Sequence, residues 1–183
     1  YFPFYERAEA LGMPILFHTG IVEKCPREKM GLRLSCGPAN MRPAHLAAIA
    51  AAFPDLTLIG GHLGYPWLEE TAHNLYYYPN ILHDLSGYRG DVGWLVASLD
   101  RKCRDGLPGT RYFSDKILFA TDALCYGNDA SFRDALRLMD FWELFLEMAG
   151  GNYHRWGEPE ERGKILAGNA RKLYSELKAR GGR

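Results

Sequence analysis

The chain has 183 residues, is 47% hydrophobic and carries 22 basic against 22 acidic side chains. That length suits one domain with a substantial core, and that apolar share excludes an intrinsically disordered chain. The balanced charge gives no electrostatic reason to bind nucleic acid or an anionic membrane surface, and no apolar run approaches the ~20 residues that span a bilayer.

The chain opens with a helix expected over Phe4–Leu11 and closed by Gly12. Charge interrupts it too early for a secretory leader. Pro14–Phe17 is apolar, short and bounded by proline and glycine, which reads as a buried strand. Gly20–Met41 mixes glycine, proline and charge, and reads as a long loop of the kind that carries function or specificity. In the next helix Leu46, Ile49, Ala50 and Phe53 share one face, with Pro43 near its start and Pro54 after its end. Thr57–Gly61 is the second strand, Pro66–Tyr76 a helix and Ile81–Leu85 the third strand. Val92–Cys103 is a further helix, and Lys116–Thr121 the fourth strand.

Ser131 starts the strongest helical pattern, with Asp134 placed to complete a capping box. Its apolar stripe is Leu138, Phe141, Trp142, Phe145 and Met148, and Gly150–Gly151 are expected to end it. A last helix is expected from about Ala170 to Ala179 with Asn169 as its N-cap. The four cysteines, Cys25, Cys36, Cys103 and Cys125, form no CxxC pair. Reduced thiols in a cytoplasmic protein are therefore expected rather than a disulfide framework or a cysteine-based zinc site.

Strands separated by helices are expected to run parallel with right-handed crossovers. The strands start near residues 14, 56, 80 and 115, a spacing close to the roughly 31 residues per unit of an eight-stranded βα barrel. The α/β pattern is thus that of a parallel (β/α) barrel with about four βα units, although a small doubly wound sheet shares it locally.

Three apolar runs end on a chemically versatile side chain: "PILFHTG" at His18, "TLIGGHLG" at His62 and "KILFATDAL" at Asp122. Asp84 and Ser86 hold the matching place on the third strand. The C-terminal edge of a parallel sheet is where α/β folds build their sites. Imidazole and carboxylate are ligands for zinc, iron or manganese, a metal lowers the pKa of bound water to roughly 7, and a nearby carboxylate can take its proton. A single histidine or aspartate at a strand end is commonly structural, and Asp84 is read that way. Three matching placements carry more weight than any one. His45 and His73 are expected at the surface or in packing, and His83 faces away from Asp84. Tyr76–Tyr77–Tyr78 reads as packing or interface, His154 as a loop residue without a role, and Arg89 as a candidate clamp for a substrate carboxylate.

Taken in order, "PILFHTG", "AAFPDLTLIGGHLGYPWLEE", "NILHDLSG", "KILFATD" and "ILAGNARKLY" resemble the amidohydrolase superfamily, specifically the amidohydrolase-related family that includes aminocarboxymuconate-semialdehyde decarboxylase. The resemblance implies a (β/α)8 barrel of which residues 1–183 form a single domain, strands five to eight, the C-terminal half of a TIM barrel. It implies that His18 and Asp122 bind a divalent metal, zinc first among the candidates. His62 would act on substrate or water, and Asp122 would also handle protons. Asn169 falls in the family's closing "GNA" motif, read as structural. The family's strand-one His-x-His pair is absent, since no HxH occurs in the sequence. The chain is accordingly expected to be a piece of a longer enzyme, or to associate with a second copy or the missing half-barrel.

The leading expectation is a metal-dependent hydrolase or non-oxidative decarboxylase of a small carboxylated or cyclic substrate. A non-catalytic half-barrel serving structure or interaction is the alternative. A doubly wound nucleotide-binding domain ranks last, because neither GxGxxG nor GxxxxGK[ST] occurs.

Overall fold

The computed structural model describes residues 1–21, 37–86, 113–122, 129–152 and 159–181. Helix α1 (Phe2–Ala10) leads into β1 (Ile15–Phe17), and α2 (Ala44–Ala52) into β2 (Leu58–Gly60). A tight turn, Gly61–Gly64, precedes α3 (Leu68–Tyr77), followed by β3 (Ile81–Asp84) and β4 (Ile117–Leu118). The chain closes with α4 (Asp129–Asn152), α5 (Pro159–Gly163), a π-helical turn (Lys164–Gly168) and α6 (Asn169–Gly181). The expected helix over 92–103 lies outside the described residues. Among those residues no helix is long and apolar enough to cross a membrane.

The four strands form one parallel sheet in the order β1-β2-β3-β4. Every strand therefore points its C-terminal end at the same edge. Ile15 pairs with Leu58 and Leu58 with Ile81, while Phe17, Gly60, His83 and Ile117 make a second row. Both rows face the helices, because side chains two apart share a face. Leu58 and Ile81 are fully buried and pack with Leu46, Ala50, Phe53 and Leu56. The intervening row, Leu16–Ile59–Leu82, lies on the other face, where Leu16 is 65% exposed.

The second half of the core is Leu63, Leu68, Ala72, Leu75, Leu85, Ile117, Trp142, Leu146 and Ile165. It corrects the reading of α4. Trp142 and Leu146 are fully buried, Leu138 and Phe145 pack beside them, and Phe141 is displaced to the exposed flank. The buried stripe thus centres on an i, i+4 pair. The helix also begins earlier than expected, at Asp129, and runs through Gly150–Gly151 to Asn152. Glycine disfavours a helix interior by only about 1 kcal/mol, so tertiary packing carries it through.

Asn169 is a second correction. It does not cap α6 but lies inside helical backbone continuous with the π turn, at φ −66° and ψ −41°. Its buried side-chain amide instead donates to the carbonyls of Ser114 and, at 2.8 Å, Ile117. The backbone N–H of Phe119 donates to the Ile165 carbonyl at 3.0 Å. Together these bonds pin the end of β4 to the final helical segment, in keeping with the structural reading of the "GNA" motif.

His83 is fully buried on the helix-facing side, its ring beside the Gly60 backbone, and among the described residues neither ring nitrogen makes a well-formed hydrogen bond. Its ring lies against Gly60, where an added Cβ would sit 2.3 Å from Cε1. Burial, helped by the charge of Lys116, pushes this imidazole down to about 3. The unfolded chain takes up that proton near ~6.5, so the folded state loses stability as pH falls from there toward 3, by up to ~1.4 kcal/mol per pH unit. Urea midpoints measured across that window should show the loss, and a His83→Leu variant should show a slope one proton shallower.

Candidate active site

The turn after β2 is held from three directions. Thr19 Oγ1, just past β1, donates to the Gly61 carbonyl at 2.5 Å. Thr71 Oγ1 on α3 donates to the Leu63 carbonyl at 2.6 Å. The Asp84 carboxylate at the end of β3 accepts the His62 backbone N–H at 2.9 Å. Within this clamp His62 and Leu63 both adopt left-handed backbone, at φ 60° and 49°. Such a conformation costs a side-chain-bearing residue about 1–3 kcal/mol, and it persists only where the surroundings over-determine it. Gly64 follows at φ 67°. A Cβ there would sit 2.1 Å from Pro43 Cγ, so glycine is required on both counts.

The turn aims the buried His62 ring at His18. Their rings are 4.5 Å apart between centroids, and His62 Nε2 lies 3.1 Å from His18 Nδ1. On the other side, His62 Nδ1 lies 3.0 Å from both the Ser86 carbonyl and Ser86 Oγ. The Ser86 hydroxyl hydrogen is committed to Asp84 Oδ1, so both neighbours of Nδ1 are acceptors. Nδ1 therefore faces them as a donor, and Nε2 meets His18 Nδ1. His18 Nε2 has no hydrogen-bond partner among the described residues, on an exposed ring at the sheet edge.

Asp122 lies on the same edge, four residues past β4, exposed and left-handed at φ 53°. Two of the three residues singled out from the sequence thus have strained backbones, a pattern that clusters at functional sites. The structure brings His18 and His62 together. No hydrogen bond or ion pair joins Asp122 to either ring among the described residues. Those residues also contain no group of three or more His, Cys, Asp or Glu side chains able to hold a metal. The donor chemistry of His18 and Asp122 suits a divalent ion, but two ligands fall short of the three of a typical catalytic zinc site.

Asp84 is buried and its carboxylate accepts three hydrogen bonds, consistent with the structural reading given to it. Sequence reasoning placed Ser86 on the edge but missed its contact with His62. The "HDLSG" spacing, a hydroxyl two residues after an acid at a strand end, was the available signal. His45 and His73 are exposed. His45 Nε2 meets the Ala39 carbonyl, and His73 stacks on Tyr77. Arg89, His154 and the four cysteines lie outside the described residues.

The parallel α/β sheet, with a histidine pair at its C-terminal edge, is part of a TIM barrel. A family model for amidohydrolases matches residues 1–175, and the chain belongs to the amidohydrolase family. Among curated proteins it is 27% identical over 172 residues to protein fluG of Emericella nidulans, covering 88% of this chain and 17% of that protein. Among solved structures it resembles an uncharacterised TIM-barrel protein from Bordetella bronchiseptica, with TM-score 0.64 and 22% identity, covering 100% of this chain and 51% of that one. It also resembles a dihydroxybenzoic acid decarboxylase from Polaromonas sp. JS666, solved with manganese and the inhibitor 2-nitroresorcinol. There the TM-score is 0.51 and the identity 21%, covering 96% of this chain and 53% of the other. The chain therefore spans about half the length of these structures and a smaller part of the fungal protein.

Proposed function

We propose that this chain forms part of a metal-dependent hydrolase or non-oxidative decarboxylase acting on a small carboxylated or cyclic substrate. The observation that carries the reading is the His18–His62 pair, held at the sheet edge by a strained turn. In this reading His18 Nε2 and Asp122 are two of the metal ligands. A bound divalent ion supplies Lewis acidity and, at neutral pH, an activated water. His62 takes or gives a proton at Nε2 when a bound substrate or water takes the place of His18 Nδ1 there, while Asp122 holds a proton at its carboxylate. Arg89 remains a candidate for binding a substrate carboxylate. Zinc is the first ion to test, and manganese, seen in the Polaromonas structure, the second.

Because the described residues offer fewer than three ligands, the reading includes a partner surface. Either the missing half-barrel or a second copy supplies the remaining donors. It also includes a cytoplasmic setting, argued from four cysteines without paired spacing. The same shortage of ligands favours, as a second reading, a half-barrel that associates without metal or turnover.

Metal analysis of the purified protein separates the two. His18→Ala and Asp122→Ala should each release the bound metal and abolish turnover of carboxylated aromatic and cyclic amide substrates. Unchanged metal content in both variants would defeat the assignment, and a metal-free assembly of the unaltered protein would favour the second reading.

A further inference from the structure

The network behind His62 has a direction that the proposed chemistry does not by itself require. Asp84 Oδ1 accepts three hydrogen bonds: from the His62 N–H at 2.9 Å, from the Ser86 N–H at 2.9 Å and from the Ser86 hydroxyl. All three donors are buried. A carboxylate oxygen has acceptor capacity only, so it consumes the one hydrogen of Ser86 Oγ. What remains for His62 Nδ1 is two acceptors, the Ser86 carbonyl and Ser86 Oγ, both at 3.0 Å. An Nε2–H tautomer would leave a bare Nδ1 facing two lone pairs and would bring Nε2–H against His18.

We infer that Ser86, oriented by Asp84, is a positioning residue that fixes His62 in its Nδ1–H form and through it leaves His18 Nε2 free of hydrogen. The inference rests on the reading of His18 as a metal ligand only for its consequence; the tautomer follows from the contacts alone. Ser86 touches neither substrate nor ion in this scheme. It acts two steps away, as a hydrogen-bonded neighbour of a ligating histidine fixes that ring's tautomer and orientation. Asp84 does two things with one oxygen: it holds the backbone of the strained turn and it sets the hydroxyl that the turn's side chain reads.

The test is ring-nitrogen NMR on histidine-labelled protein prepared with zinc, a diamagnetic ion, together with zinc titration. In the unaltered protein His62 should show a protonated Nδ1 and an unprotonated Nε2. Ser86→Ala, which keeps the carbonyl and removes the hydroxyl acceptor, should lower the Nδ1–H share and weaken zinc binding, by less than the roughly 10–100-fold cost of losing a direct partner of a metal ligand. Ser86→Thr, which keeps the hydroxyl, should restore both. A Ser86→Ala protein with the parental Nδ1–H signal would overturn the inference, as would Nε2–H in the unaltered protein. If the unaltered protein binds no zinc but shows Nδ1–H, and Ser86→Ala loses it, the metal reading fails while the positioning role stands. Should Ser86→Ala fold poorly, Ser86→Cys, close in size but a weaker acceptor, should give an intermediate signal; a signal equal to the parental one would count against the inference.

Discussion

Replacing His62 by glutamine is expected to lower kcat by roughly 10²–10⁴-fold, the range of a positioned general acid or base, in protein kept saturated with metal. The reason lies in the split between the two rings. His18 presents a bare Nε2 at the edge, whereas His62 has its Nδ1 buried against Ser86 and its Nε2 toward His18. His62 is thus placed to exchange a proton at Nε2 when a substrate displaces its contact with His18, without itself being a ligand. Glutamine retains polar reach but cannot cycle a proton near neutral pH. Steady-state kinetics with parallel metal analysis tests this. Turnover restored in full by excess metal would assign His62 to holding the ion instead, and unchanged turnover would remove it from the chemistry.

A Trp142→Ala exchange should cost about 3–5 kcal/mol of folding stability, read as a fall in the denaturant midpoint. Trp142 is fully buried in the cluster that joins α4 to the sheet, with Phe141 and Phe145 edge-on at 5.6 and 5.7 Å. The same cluster contains Leu63 and Leu85. One follows His62 directly and the other lies between Asp84 and Ser86, so the turn rests on the same cluster that the cavity would loosen. Part of the loss should therefore surface as weaker turnover. A loss below about 1 kcal/mol would mean that α4 is not packed as described.

The alternation of short apolar runs with helical segments was enough to place β1, β2 and β3 within a residue at each end, whereas of the strand expected over Lys116–Thr121 only Ile117–Leu118 pairs. That much is legible because burial on a parallel sheet demands continuous apolar residues. The ends of α4 and the role of Asn169 were not. Helix-breaking glycines at 150–151 and a cap-like asparagine are local signals, and tertiary contacts overrode both: packing extends α4, and the Asn169 amide serves β4. His18, His62 and Asp122 were singled out by their positions at strand ends and by the resemblance. The left-handed backbone of His62 and Asp122 was not visible, because nothing in those side chains asks for it; the clamp from Thr19, Thr71 and Asp84 imposes it on His62. The direction of hydrogen bonding through Ser86 likewise needed atomic distances.

The contact between Gly60 and the ring of His83 makes those two positions a single shared volume. Neither can grow alone: a methyl group on β2 would displace an imidazole that has no space to move to within the helix-facing layer. Two neighbouring strands, one carrying the histidine turn and one carrying its carboxylate tether, are thereby locked in mutual spacing by a lack of bulk on one side and a surplus on the other. Engineering of the scaffold must treat 60 and 83 as one unit, exchanged in compensating steps, or the distance between the two halves of the site will drift.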